Sequence, residues 1–79
     1  MMRAKMKVVN VQSHDGGNET IKFRAIGKDS AYPEDGTDED NSYARWTPNG
    51  ELSLTIANPE LWGKFAIDDK FYLDFTRVT

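Results

Sequence analysis

Ser42-Tyr-Ala-Arg-Trp-Thr-Pro-Asn-Gly-Glu-Leu-Ser-Leu-Thr-Ile56 is the stretch on which the fold turns. Asn49-Gly50 is a strong short-range hairpin signal, because both central positions of a type I′ turn need positive φ and Asn and Gly tolerate it best. Beyond it, Leu52, Leu54 and Ile56 alternate with Glu51, Ser53 and Thr55, the two-residue period of a strand with one dry and one wet face. Before it, Tyr43, Arg45 and Thr47 alternate with Ala44 and Trp46, and Pro48 closes the run where a missing N–H does least harm. The stretch therefore predicts a β-hairpin at the centre of a small β domain.

Working outward, Arg3 to Gln12 reads as a first strand. Ala4, Met6 and Val8 share one parity, whereas Val9 and Val11 take the other. A change of face within one run predicts a bulge near Val8-Val9. Ser13 to Asn18, with Gly16-Gly17, is a turn by composition. Glu19 to Ile26 is the second strand, with Ile21, Phe23 and Ala25 on one face and Thr20, Lys22 and Arg24 on the other. The two strands should form a hairpin whose outer face carries Lys5, Lys7, Lys22 and Arg24.

Gly27 to Asn41 breaks the alternation. It holds Asp29, Glu34, Asp35, Asp38, Glu39 and Asp40 with no periodic apolar residue, and like-charge repulsion predicts a mobile, solvated loop over about 27–41. Asn58-Pro59-Glu60-Leu61-Trp62-Gly63 spells one helical turn, with Asn58 as cap, Pro59 at the first position and Gly63 as terminator. Leu61, Trp62 and Phe65 should plug one end of the sheet structure. Asp68-Asp69 is a turn, and Lys70 to Val78 is the last strand, with Phe71, Leu73 and Phe75 inward. The expected architecture is all-β: one domain over 1–79, a five-stranded SH3-like or OB-like barrel with a short helical turn before the last strand. A two-layer sandwich is the other arrangement left open.

Composition narrows the function classes. Seventy-nine residues bury only roughly 60–65% of the surface their unfolded chain exposes, so docking on a partner or on copies of itself is a natural source of added stability. There is no cysteine, hence neither disulfide nor thiolate metal site. The net charge of −3 argues against a protein that works mainly by neutralising phosphates. No run of about 18 apolar residues suggests a membrane span, and Met-Met-Arg-Ala-Lys-Met-Lys shows no signal-peptide core. A soluble, cytoplasmic chain is expected.

Chemical motifs are few. His14 sits between Ser13 and Asp15, but adjacent residues cannot align as a triad, so it reads as a turn residue. Asp35 to Asn41 could gather a hard cation, yet it lacks EF-hand spacing, and a solvated acidic loop is the better reading. No phosphate-cradling loop or nucleophile elbow occurs. The expectation is a non-enzyme without cofactor or metal. Single-stranded nucleic acid could stack on Tyr43, Trp46 and Tyr72 beside the basic strands, whereas the plainer reading makes Trp46, Trp62, Phe23, Phe65, Phe71 and Phe75 core. Charge segregation suggests a further arrangement, the acidic loop of one copy meeting the basic strands of the next.

Three segments together resemble a known group: Arg3-Ala4-Lys5-Met6-Lys7-Val8, Thr47-Pro48-Asn49-Gly50-Glu51-Leu52-Ser53-Leu54-Thr55-Ile56-Ala57-Asn58-Pro59, and Phe71-Tyr72-Leu73-Asp74-Phe75-Thr76. The pattern is similar to small proteins of tailed bacteriophages and prophages, commonly encoded beside head-morphogenesis genes. The resemblance implies a virion component, a capsid decoration, cement or head-associated protein, found in the virion and in the host cytoplasm during assembly. Its implied partner is a capsid or other virion protein, with copies of itself on the shell. It brings no active-site residues. Partner contacts are expected at Arg3, Lys5, Lys7, Asp35, Asp38, Glu39, Asp40 and Tyr43, since the loop and the N-terminal arm are exposed and long for the domain. The alternative function is a small binding module for single-stranded nucleic acid or a host protein.

Overall fold

The longest alternating run makes the centre of the sheet. In the computed structural model, which describes residues 2–79, β1 spans Met2–Ser13, β2 Glu19–Ala25, β3 Glu51–Ile56 and β4 Lys70–Phe75, with a single 3-10 turn at Pro59–Leu61. All pairings are antiparallel, and the strand order is β3-β2-β1-β4. At twelve residues, β1 is long enough to serve two partners. Met6 to Ser13 pair with β2, and Met2 to Lys7 pair with β4. The register slips between Val8 and Asn10, leaving Val9 unopposed at the expected bulge; Val8 is fully buried and Val9 more than a third exposed. The extra residue restores an apolar side chain, Val11, opposite Ile21 on the inner face.

The expected hairpin around Asn49-Gly50 does not form. Residues 43–50 contain no strand, neither Asn49 nor Gly50 has positive φ, and β3 pairs with β2 instead. The reason lies in the faces. Pairing β3 with β2 sets Leu52 beside Phe23 and Leu54 beside Ile21, extending one apolar surface. Neither parity of Tyr43 to Thr47 could do this, because one mixes Tyr with Arg and Thr and the other offers only Ala and Trp. With 43–47 lost as a strand, four remain, and β3 and β4 are both free edges. The fold is therefore an open four-stranded antiparallel sheet and not a five-stranded barrel.

The stretch from Ile26 to Gly50 replaces the missing strand by lying alongside β1. Ile26 N donates to Lys5 O, and Ser42 N donates to Arg3 O. Lys5 N donates to Asn41 Oδ1 at 2.8 Å and Arg3 N to Ser42 Oγ at 2.9 Å. Side-chain oxygens thus take the place of a neighbouring strand's carbonyls. Ala25 N donates to Gly50 O, which hands the chain into β3. Positive φ occurs at Gly36 and, among larger residues, at Trp46. Trp46 N donates to Gly36 O at 2.8 Å, with the indole against the glycine, where a Cβ would collide with the ring.

The 3-10 turn is built as its residues predict. Asn58 accepts from Glu60 N at 3.1 Å, and Pro59 opens the turn. The following segment crosses the inner face and brings Phe65 onto Phe23 and Phe71, at centroid distances of 6.0 and 5.3 Å. Trp62 lies against Gly17 and donates from Nε1 to Ile56 O at 2.8 Å. Leu61 stays 45% exposed and so does not plug the sheet. β4 stops at Phe75, short of the expected Val78, which is almost wholly exposed.

Candidate functional site

Antiparallel register gathers the apolar rows of four strands on one side. Val8 faces Phe23, which faces Leu52; Met6 faces Phe71, Ala4 faces Leu73, and Met2 faces Phe75. Glu19, opposite Ile56, accepts from Gly63 N. Ala4, Met6, Val8, Ile21 and Phe23 are buried, and Phe65 seals the part of the face above Val8 and Phe23. The other part is open. Met2, Ala4, Met6, Leu73, Phe75, Tyr43 and, at the start of β3, Glu51 are among the residues that line a shallow groove of about 200 Å³, and Phe75 is 46% exposed.

The dimensions say the same. The molecule measures 49 × 32 × 16 Å, thin enough for little more than one layer of sheet. Its radius of gyration is 14.5 Å, against about 12 Å for a compact domain of this length. It exposes 5676 Å², whereas a folded monomer of 9.0 kDa exposes about 4,900 Å². An uncovered apolar sheet face is the feature that isolated soluble domains avoid.

The residues expected to contact partners mostly lie on the opposite side, engaged within the chain. Lys7 pairs opposite Arg24, so the basic outer face exists. The acidic loop folds back onto it in the same molecule. Lys5 Nζ lies 3.4 Å from both Asp29 and Asp40, Tyr72 Oη donates to Asp40 at 3.0 Å, and Lys28 pairs with Glu39. Arg3 clasps Asp74 through two bonds of 2.6 and 3.1 Å and lies over the Tyr72 ring. The complementarity that suggested head-to-tail docking is satisfied in cis. Lys5 and Asp38 are buried and serve the fold; Asp35, Glu39 and Tyr43 keep exposed surface.

Asp38 and Asn41 explain why the loop is held rather than loose. Asn41 is fully buried and donates from Nδ2 to Ile26 O at 2.8 Å and to Asp38 Oδ2 at 3.0 Å, while its Oδ1 accepts from Lys5 N. Asp38 also accepts from Lys28 N and Asp40 N. Burial pushes the Asp38 carboxyl upward, but the Asn41 amide and these backbone N–H groups outweigh it and hold the pKa below the ordinary value. Burial likewise lowers the Lys5 ammonium, and Asp29 and Asp40 more than reverse that. Asp35 is held down by the Thr37 amide and hydroxyl, which it accepts from. Desolvation, then the Asp38 charge, raises the Tyr43 phenol.

The chemical alternatives find little geometry. Among the described residues no group of three or more His, Asp or Glu is placed to hold a metal ion. His14 Nε2 lies 2.7 Å from Thr20 Oγ1, as a turn residue bracing its own hairpin. Tyr43, Trp46 and Tyr72 do not share a platform: Tyr43 lines the apolar groove, Trp46 packs on Tyr32 in the loop, and Tyr72 lies on the polar face. No helix among the described residues is long and apolar enough to cross a membrane. Sequence reading missed the open face because its residues were assigned to a closed interior. The available signal was a count: with no apolar row between 27 and 50, only four strand rows exist, too few to close a small barrel.

Comparison with protein-family models, curated proteins and solved structures finds no match.

Proposed function

We propose that this chain is a structural protein of a bacteriophage virion, a capsid decoration or head-associated protein that assembles in many copies with a larger shell. The observation that carries the reading is the uncovered apolar side of the sheet, a surface whose physical use is adhesion. The segments that resemble phage head proteins support it by their position. They supply the start of β1, the whole of β3 with its cap, and β4, which are the strands that present Met2, Leu54 and Phe75. The pairing of Arg3, Lys5 and Lys28 with Asp74, Asp29, Asp40 and Glu39 supports it too, since those charges are already engaged within the chain. The exposed carboxylates Asp35 and Glu39 and the rim residue Tyr43 are the residual contact candidates. On this reading the protein resides in the virion, and in the host cytoplasm while particles assemble.

Quantitative mass spectrometry of gradient-purified particles, from the phage or prophage that carries the gene, tests the reading. A stoichiometric amount relative to the major shell protein is the expected result. Particles that contain none of it would refute the proposal.

A further inference from the structure

We propose that the outer side of the sheet binds the phosphate backbone of a nucleic-acid strand through Lys70, Lys7, Arg24 and Lys22. The proposal stands apart from the virion reading, because it uses the opposite side of the sheet and none of the apolar rows.

Register brings these cations together. Lys70 on β4 lies opposite Lys7 on β1, Lys7 lies opposite Arg24 on β2, and Arg24 lies opposite Glu51 on β3. Three cations thus stand side by side on adjacent strands, a row about 10 Å long at the ordinary strand spacing. Lys22, two residues from Arg24 and so on the same side, extends the group between Asn10 and Ser53. Beside the row the surface is hollowed, and Val9, Lys22, Arg24, Glu51 and Ser53 are among the residues lining a concavity of about 440 Å³.

The charges there are not balanced. Elsewhere on this side Arg3 holds Asp74, and Lys5 holds Asp29 and Asp40. At the row only Asp68 and Glu51 approach, 3.7 Å from Lys7 and from Arg24, and both carboxylates are more than three-quarters exposed. That separation is longer than a hydrogen bond, and exposed pairs of this kind contribute little. Among the described residues Lys22 and Lys70 have no ion-pair partner. Like charges set directly opposite one another across a sheet cost stability, and a local conflict of this kind is expected at functional sites.

The surroundings select the ligand. A protein partner would need an apolar or aromatic centre to anchor on. Here Val9 is exposed among cations, amides and hydroxyls, and Tyr72, the aromatic on this side of β4, is already engaged by Arg3 and Asp40. Nucleic-acid interfaces are instead polar and positively charged. A phosphate takes the donors present, the guanidinium fork of Arg24, the ammonium groups and the Ser53 hydroxyl. With no aromatic offered beside the cations for a base to stack on, contact is to the backbone and independent of sequence. The net charge of −3 confines the attraction to within about a Debye length of the patch, so binding belongs in the non-specific range, with Kd above about 1 μM at physiological salt.

Fluorescence anisotropy of a labelled oligothymidylate, titrated with the full chain at several salt concentrations, is the test. Binding should be present at low salt, and log K should fall with log salt at a slope of about −2 to −3, as for three or four neutralised phosphates. The double variant Lys22→Glu with Lys70→Glu, both at exposed positions, should weaken binding more than about tenfold and flatten the slope. Lys64→Glu with Arg77→Glu imposes the same change of net charge outside the group and should leave Kd within about threefold. Circular dichroism confirms that each variant keeps the sheet. Should the first double variant fail to fold, Lys22→Ala and Lys70→Ala carry the test, each weakening binding about two- to fivefold. A duplex of the same length that binds comparably also supports the proposal, since it presents the same phosphates. No binding at low salt overturns it, as do equal losses in the two double variants. A polyglutamate of equal charge that binds as tightly overturns it too, and would assign the group to an acidic protein.

Discussion

The two parts of the apolar sheet face differ in what covers them. Above Val8 and Phe23 the crossover after the 3-10 turn lays Phe65 across the strands, giving an aromatic cluster with Phe23 and Phe71. Around Met2, Leu73 and Phe75 nothing from the chain crosses, although the strands are the same and the residues as greasy. The difference teaches that covering depends on connections. The link between β3 and β4 must pass over the sheet because these strands occupy opposite edges. The link between β2 and β3 joins neighbours, so it has no need to cross and lies in the plane of the sheet beside β1.

A matched pair of truncations gives the sharpest measure of this contrast. Phe23→Ala in the covered part should cost about 3–5 kcal/mol by urea unfolding, enough to unfold much of the protein. Phe75→Ala in the open part, measured on dilute protein, should cost about 1–2 kcal/mol, since almost half of the residue already faces water in the single chain. Equal losses would erase the distinction.

The in-plane loop comes next in size. Asn41→Ala strands Lys5 N and Ile26 O in a buried site and should cost about 2–3 kcal/mol. It should also raise amide exchange at Arg3 and Lys5 more than at Ile21 and Phe23, because only the former lean on the loop.

Acid should produce a smaller, graded loss in the same place. The folded pKa of Asp38 lies below its unfolded value, so the unfolded chain takes up the proton first as pH falls. The stabilisation is complete above the ordinary carboxylate value and is lost as pH drops through the folded pKa. Asp35 and Glu39 shift in the same direction. Fluorescence of Trp46, packed in the loop, should change below that range, and Asp38→Asn should flatten the pH slope of stability. An unchanged slope would mean that the Asp38 cluster does not hold the loop. Smallest of all is Asp74→Asn, which loosens the exposed clasp with Arg3 and should leave the urea midpoint unchanged within error, as exposed pairs do. A clear shift would mean that the polar side of β4 matters as much as its apolar side.

Local signals were legible where the cause is local. The bulge at Val9 shows as a change of parity, the cap at Asn58 as Asn-Pro-Glu, and the shared basic side of β1 and β2 as alternation across a glycine turn. Asn49-Gly50 misled because a type I′ turn needs a strand on each side that gains by pairing, and Tyr43 to Thr47 has no apolar parity to contribute. The acidic loop misled through its composition. Its repulsion is real, but Asp29, Asp40 and Glu39 meet Lys5 and Lys28 in space, and Asn41 supplies the hydrogen bonds that a run of carboxylates could not. Exposed position along the chain, the sequence criterion for partner contacts, cannot register that Lys5 and Asp38 are buried around Asn41.

The residue order alone determined which segments can be strands and which side of each is dry, because side-chain alternation is set by the backbone's two-residue period. Only the tertiary structure decided which strands are neighbours, that the sheet stays open, and that one apolar part is covered while the other faces water. Those outcomes depend on contacts between residues far apart in the chain, whose energies no local pattern contains.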